Sequence, residues 1–178
     1  MEEIEVKILE VNRTTLERKL AELGAKKVFD GNIQTFFFDF KEGTIINKKN
    51  VLRLRKEQDK IELTYKKVQV TPTAKTAQEY SVEVSSLETM REILENLGLS
   101  VIDSMQKHRV SYTLEGARFD FDRYLGSFVY IPEFLEIEAK STDLIYKYAK
   151  ILGFNSKDCL PWSTEDLIHH YFKLKEKY

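Results

Sequence analysis

The sequence predicts an α+β fold, with about eight strands pairing mostly as antiparallel neighbours and four helices packed outside them. Three observations predict it. Segments alternating charged and apolar residues recur along the chain, the two-residue period of strands with unlike faces. Turn signals such as Gln58-Asp59-Lys60 and Glu115-Gly116 join several of them as hairpins. Leucine-rich stripes at helical spacing stop at Gly24, Gly98 and Gly153.

Residues 2–11 read as the first strand, with Glu3, Glu5 and Lys7 on one face and Ile4 and Val6 on the other. Asn12-Arg13-Thr14 offers a helix cap, and Leu16, Leu20 and Leu23 give the helical stripe behind it. Residues 33–40 are aromatic and β-prone, and Lys41 to Asn50 is a polar loop. Val51 to Arg55 alternates with both arginines on one face, and Ile61 to Lys67 returns with Glu62, Thr64 and Lys66 on one face. Val68 to Lys75 reads as a mobile loop.

Glu79 to Val84 alternates again. Leu87 to Leu97 is a helix with Ser85 and Ser86 as cap candidates. Val101 to Leu114 is a long strand carrying Lys107, Arg109 and Ser111 on one face. Phe119 to Asp122 follows, then a loop through Gly126 and Pro132. Phe134 to Lys140 repeats the opening pattern, with charge at Glu136, Glu138 and Lys140. Helices at Leu144 to Leu152 and Glu165 to Lys175 finish the chain, the last capped by Ser163 or Thr164. Strand, helix ending in Leu-Gly, then strand occurs at 2–38 and again at 79–112, a weak echo that suggests duplicated halves.

The chain of 178 residues suits one domain spanning 1–178. It is 42% apolar and 32% charged, which fits a soluble globular protein. Three prolines and seven glycines leave little room for a linker. The formal net charge of −1 argues against a general nucleic-acid binder. No apolar run approaches the roughly 20 residues of a membrane span, and the acidic start shows no signal-peptide pattern. The one cysteine, Cys159, excludes an internal disulfide and fits a reducing cytoplasm.

Charges spaced two apart recur at Glu3/Glu5/Lys7, Arg53/Arg55, Glu62/Lys66, Glu79/Glu83, Lys107/Arg109, Asp120/Asp122 and Glu136/Glu138/Lys140. Two architectures accommodate them: a sheet with one wet face, or a closed barrel with a polar interior large enough for a small ligand. Enclosed charges of both signs need partners, an ion or a ligand. Carboxylate pairs without His or Cys neighbours suit hard cations, Mg²⁺ or Mn²⁺. Lysines and arginines suit phosphate oxygens. Together they describe a site for a metal–polyphosphate complex.

Glu3-Ile4-Glu5-Val6-Lys7 resembles the ExExK signature of the CYTH superfamily, the triphosphate tunnel metalloenzymes. Gln34 with Phe37-Phe38-Asp39, Leu52-Arg53-Leu54-Arg55, Leu63-Thr64-Tyr65-Lys66, Lys107-x-Arg109, Phe121-Asp122-Arg123 and Leu135-Glu136-Ile137-Glu138 follow in the family's order, over nearly the whole chain. The resemblance implies an eight-stranded antiparallel barrel closed into a tunnel, acting with divalent metal on a bound triphosphate. It implies metal carboxylates at Glu3, Glu5, Glu136 and Glu138, with Asp122 and Glu83 or Glu79 assisting. It implies triphosphate binding by Lys7, Arg53, Arg55, Lys66, Lys107 and Arg109, with Lys7, Glu5 and Glu136 closest to the chemistry. The fifth strand departs from the pattern: Ala77 and Ser81 stand where the family often has arginine and glutamate, and Lys75 is the candidate substitute for the arginine. The loop from Tyr124 to Pro132 is longer than the short Leu-Gly connection of many class IV cyclases.

Two reactions use such a site, cyclisation of ATP to cAMP and pyrophosphate, and hydrolysis of inorganic or thiamine triphosphate. Length and the Leu-Gly-Ala end of the first helix resemble class IV adenylate cyclases more than the shortest triphosphatases. A non-catalytic polyphosphate or nucleotide sensor would keep the basic residues and lose the metal carboxylates, yet both Glu-x-Glu pairs are intact. A small-molecule substrate, no nucleic acid and no membrane are expected, and a homodimer is allowed. Asp120 shares the face of Asp122 and is a weaker candidate. His108 falls out of phase with Lys107 and Arg109 and is expected to face outward. His169, His170 and Cys159 are expected to be structural, and Phe36 to Phe38 to be packing.

Overall fold

The computed structural model describes residues 4–70 and 75–175, with backbone alone at 68–70 and 75–77. Strands are β1 (Ile4–Ile8), β2 (Lys26–Phe40), β3 (Val51–Glu57), β4 (Lys60–Val70), β5 (Lys75–Glu83), β6 (Leu99–Leu114), β7 (Ala117–Leu125) and β8 (Phe134–Ala139). Helices are α1 (Arg13–Glu22), α2 (Leu87–Asn96), α3 (Thr142–Leu152) and α4 (Thr164–Lys175). The eight strands form one sheet in the order β1-β8-β7-β6-β2-β3-β4-β5. The pairs β1/β8, β7/β8, β2/β3, β3/β4 and β4/β5 run antiparallel. Among the described residues, hydrogen bonds do not close this sheet on itself.

Two compact units divide the chain, residues 4–31 with 107–175, and residues 32–106. In the first, Val6, Ile8, Phe119, Phe121, Leu135 and Ile137 form one apolar core with Leu16 and Leu20 of α1 and Ile145, Tyr148 and Leu152 of α3. In the second, Phe38 and Leu54 pack with Leu87 and Leu94 of α2 and with Leu99. β1, β7 and β8 thus turn their apolar positions toward α1 and α3 and their charged positions away.

The helices start where short polar side chains accept a backbone amide. Asn12, Ser86 and Ser141 accept from Thr15, Thr89 and Leu144. Ser163 accepts from Asp166 N–H while the Asp166 carboxylate accepts from Ser163 N–H, a reciprocal cap for α4. The α3 helix begins two residues earlier than its leucine stripe indicated, because Ser141 takes the cap. It stops at Gly153, whose φ of +102° excludes an ordinary L side chain at low cost.

Three strands differ from expectation. β2 starts at Lys26 and not near Ile33, because Asp30-Gly31-Asn32 is not a turn and Gly31 is not among the positive-φ glycines. Of the stretch Val68 to Lys75, residues 68–70 and 75 are strand and not loop, and residues 71–74 lie outside the described residues. Val68, Gln69 and Val70 pair with Ala77, Thr76 and Lys75, so backbone groups find ladder partners and the β-branched residues keep a pleat. β7 starts at Ala117, which adds Arg118 to its charged face.

Lys41 to Asn50 is organised by Asp39. Its carboxylate accepts from the N–H groups of Phe40 at 2.7 Å, Ile45 at 2.9 Å and Ile46 at 2.8 Å. Burial alone would raise this carboxyl, but the three amides outweigh it and hold it below its ordinary range. Asp39→Ala is expected to cost about 2–4 kcal/mol by leaving amides unpaired. A depressed carboxylate contributes stability above its unfolded value of about 3.9 and loses it as pH falls through the folded value. Urea unfolding of both proteins should therefore show the gap at pH 7 narrowing toward pH 3. An equal gap at both values would contradict the role.

Candidate functional site

On the charged face of the first unit Lys7, Arg109, Asp120 and Asp122 are buried, while Glu5 and Arg118 keep contact with solvent. β8 lies between β1 and β7, so register lines up two rows of charge. Lys7 stands opposite Glu136, and Glu136 opposite Asp120; Glu5 stands opposite Glu138, and Glu138 opposite Arg118. Residues directly opposite have Cβ atoms about 5 Å apart, close enough for long polar side chains to meet.

Lys7, 1% exposed, donates through Nζ to Glu136 Oε1 at 2.9 Å and Glu5 Oε1 at 3.2 Å. Burial would lower its ammonium, but Glu136 and Glu5 outweigh burial and raise it above its usual range. Arg109 is a second hub. Its Nε donates to Asp122 Oδ1 at 2.6 Å, its Nη1 to Asp120 Oδ2 at 2.5 Å, and its Nη2 to Asp122 and Glu136. Lys107 Nζ donates to Asp122 Oδ2 at 2.6 Å.

Burial pushes the wholly enclosed Asp122 carboxyl up, against the pull of Lys107 and Arg109. Burial acts the same way on Glu136, but Lys107, Arg109 and Lys7 outweigh it and hold that carboxyl well below its usual range. Glu136 therefore stays ionised where a neutral acid would otherwise be favoured.

The second unit carries a more open charged face. Arg53 and Arg55 lie on β3, each about one quarter exposed. Lys66 on β4 pairs with Glu79 of β5 at 2.7 Å, directly across the ladder. Arg53 approaches Glu79 at 3.9 Å, and Arg55 approaches Glu57 at 3.7 Å and Glu62 at 3.9 Å. Ser81, on the fifth strand, meets Thr64 at 3.0 Å between their hydroxyls. Glu83 is exposed and stands opposite Glu62, and Lys60 Nζ pairs with Glu62 Oε2 at 3.0 Å. Glu79 thus balances Arg53 and Lys66, and Glu57 and Glu62 balance Arg55.

The structure therefore brings Glu5, Lys7, Lys107, Arg109, Asp120, Asp122 and Glu136 into one network. It gathers Arg53, Arg55, Lys66 and Glu79 on a second face. Glu138 is half-buried between Glu5 and Arg118 in register. Glu3 and the side chains of Lys75 and Ala77 lie outside the described residues. His108 is half-buried and meets Asp30 through Nε2 at 3.1 Å, away from Arg109's partners. Cys159 is a buried thiol, and His170 packs against Trp162 and Tyr171.

Arg118 was missed in the sequence. It donates to both Asp120 oxygens, at 2.9 and 3.1 Å, and to Ser111 at 3.1 Å. The two-residue period through Asp120 and Asp122 reaches it once β7 is extended to Ala117.

Glu5 and Glu136 place one oxygen each on the same cation, the Lys7 ammonium. An all-oxygen pair converging on one positive charge fits a hard divalent ion as well. Among the described residues no three His, Cys, Asp or Glu side chains stand together as a metal-holding group. The carboxylates are instead neutralised by lysine and arginine.

A family model described as the CYTH domain matches residues 1–158. The chain belongs to the CYTH family. That membership implies a divalent metal. A Methanocaldococcus jannaschii protein provisionally named an adenylate cyclase is 26% identical over 144 residues, covering 81% of this CYTH chain and 80% of its relative. The structure of the PH1012 protein of Pyrococcus horikoshii OT3 is 27% identical, with a TM-score of 0.73, covering 94% of this chain and 99% of that one. A Hippeastrum protein, provisionally named an adenylyl cyclase and described as revealing a dominant triphosphatase activity, is 16% identical with a TM-score of 0.64, covering 96% of both chains. No helix among the described residues is long and apolar enough to cross a membrane.

Proposed function

We propose that this CYTH chain is a divalent-metal-dependent enzyme acting on the triphosphate group of a nucleotide or other organic triphosphate. Within that class it is an adenylate cyclase of the class IV type, forming cAMP and pyrophosphate from ATP. The observation that carries the proposal is the Lys7 ammonium held between Glu5 and Glu136 beside the buried Arg109 guanidinium. The name of the Methanocaldococcus relative supports the cyclase assignment. The proposal includes the closed, polar-lined barrel that the resemblance implies, as one cytoplasmic CYTH domain.

In this reading Glu5 and Glu136, with Glu3 and Glu138, hold Mg²⁺ or Mn²⁺; Glu83 and Asp122 belong to the wider set. A bound divalent ion supplies charge neutralisation of the triphosphate and acidifies the attacking hydroxyl. Arg53, Arg55, Lys66, Lys107 and Arg109 supply the positive charge for phosphate oxygens, Arg53 and Arg55 by their two-pronged forks and Arg109 from within the carboxylates that hold it. Asp122 aims Lys107 and Arg109, since both of its oxygens are engaged by them. Lys7 stays protonated, so it donates to developing phosphate charge and does not act as a base. In cyclisation the ribose 3′-OH gives its proton to solvent, its oxygen bonds to the α-phosphorus, and the α-phosphorus–oxygen bond to the β-phosphate breaks to release pyrophosphate.

Hydrolysis, with water attacking the γ-phosphorus, is the second reading, favoured by the triphosphatase description of the Hippeastrum protein. Incubation with Mn²⁺ and ATP, thiamine triphosphate or inorganic triphosphate separates the two. The expected product is cAMP from ATP. Phosphate from inorganic or thiamine triphosphate without cAMP would replace the cyclase with a triphosphatase. Binding without turnover of any of them would make the protein a sensor.

A further inference from the structure

Residues 159–175 lie beyond the span matched by the CYTH model, yet they return to the candidate site at three points. The first is a backbone bridge. Lys7 N–H donates to Leu160 O at 2.8 Å, and Leu160 N–H donates to Lys7 O at 2.9 Å. Among the described residues β1 has one neighbouring strand, β8, and stands at the end of the strand order. Both backbone groups of Lys7 face Leu160, so its pairing with Glu136 is of the non-hydrogen-bonded kind, in which opposite side chains approach closest. The bridge thus sets the orientation that brings the Lys7 ammonium to Glu136.

The second point is Thr164, the first residue of α4, whose side chain acts on the Tyr124 hydroxyl against the upward push of burial. Tyr124 is buried within electrostatic reach of Asp122, Glu136 and Arg109. The third is Tyr171, whose hydroxyl donates to Glu10 Oε1 at 3.0 Å. Glu10 has a φ of 53°, the turn by which the chain leaves β1. Leu167 and Tyr171 are buried between these points, and the Ser163–Asp166 cap fixes the start of the helix.

We propose that the segment from Leu160 to Tyr171 is a positioning element for Lys7, strapping the outer edge of β1 at the residue whose ammonium joins Glu5 to Glu136. It rests on the function proposed above, in which Lys7 donates to the substrate. Without the strap, the Lys7 N–H and C=O would lose the partners they have in Leu160, and the side chain would lose its placement against Glu136. Misplacement of a reacting group by about 1 Å costs on the order of 100-fold in rate.

The test uses the full chain with the triphosphate that the wild type turns over best. Leu160→Pro deletes the donor to Lys7 O. Its kcat should fall roughly 10- to 100-fold with KM little changed, and hydrogen exchange at the Lys7 amide should rise at least about tenfold. Leu160→Ala keeps both backbone groups and should recover most of kcat. Should the proline variant not fold, Tyr171→Phe removes the Glu10 contact alone and should show the same kcat-only loss at about two- to fivefold. A folded Leu160→Pro with wild-type kcat, or an equal loss in Leu160→Ala, would overturn the strap while leaving the proposed function standing. A wild type that turns over no triphosphate would overturn the proposed function instead.

Discussion

Arg109→Met should be the most destabilising single change in the first unit, at about 3–5 kcal/mol near pH 7. Its guanidinium is the shared partner of Asp120, Asp122 and Glu136, and the two aspartates are almost wholly enclosed. Methionine fills much of the volume but leaves carboxylates of one sign facing each other, with Lys107, Lys7 and Arg118 as the remaining balance. The loss should depend on pH in a defined direction. Burial already pushes Asp122 up, and removing Arg109 pushes it further. A carboxyl whose folded value lies above its unfolded one costs stability as pH rises through that value, and the cost disappears as pH falls. Urea midpoints should therefore show Arg109→Met recovering part of its deficit between pH 7 and pH 5 relative to wild type. A deficit below 1 kcal/mol, or one that grows toward acid, would contradict the hub.

The second large effect is catalytic. Glu136→Gln keeps size and one acceptor for Lys7 but removes the negative charge that Lys7, Lys107 and Arg109 hold ionised. Metal-dependent turnover of triphosphate is expected to fall at least about 100-fold. The fold should survive with a loss of about 1–3 kcal/mol. That corresponds to roughly 2–12 °C in Tm for a chain of this size. Parallel melting curves and initial rates at saturating Mn²⁺ test this. A folded Glu136→Gln with wild-type turnover would remove Glu136 from the metal set.

Much of the site was legible in the chain. Alternation placed Glu5 with Lys7, Lys107 with Arg109, and Asp120 with Asp122 on shared faces, because side-chain direction in a strand repeats every two residues. Caps were legible for the same local reason: Asn12, Ser86 and Ser163 satisfy amides three residues away. One error came from a segment judged without its partner. The stretch from Val68 to Lys75 reads as a loop, but β5 supplies ladder partners to residues 68–70 that local propensity does not count. Shortening β7 had a cost for the site, since it hid Arg118, the side chain that holds Asp120 from the far side of Arg109.

Family membership was carried by ordered motifs that any reader of the chain meets: Glu-x-Glu-x-Lys at the start and Glu-x-Glu near the last strand. The residues themselves determined which side chains share a face, where helices begin, and that carboxylates and cations alternate with apolar positions. Only the tertiary structure decided which charge meets which. Lys7 reaches Glu136 because β8 lies beside β1, and Asp120 reaches Glu136 because β7 lies on its other side. Leu160 meets Lys7 because the segment after α3 returns to the edge of β1. The physical reason is range. Facing and capping are settled by neighbours a few residues apart, whereas pairing between distant strands is settled by burial of the apolar face against α1 and α3, which sets the register and carries the charged rows with it.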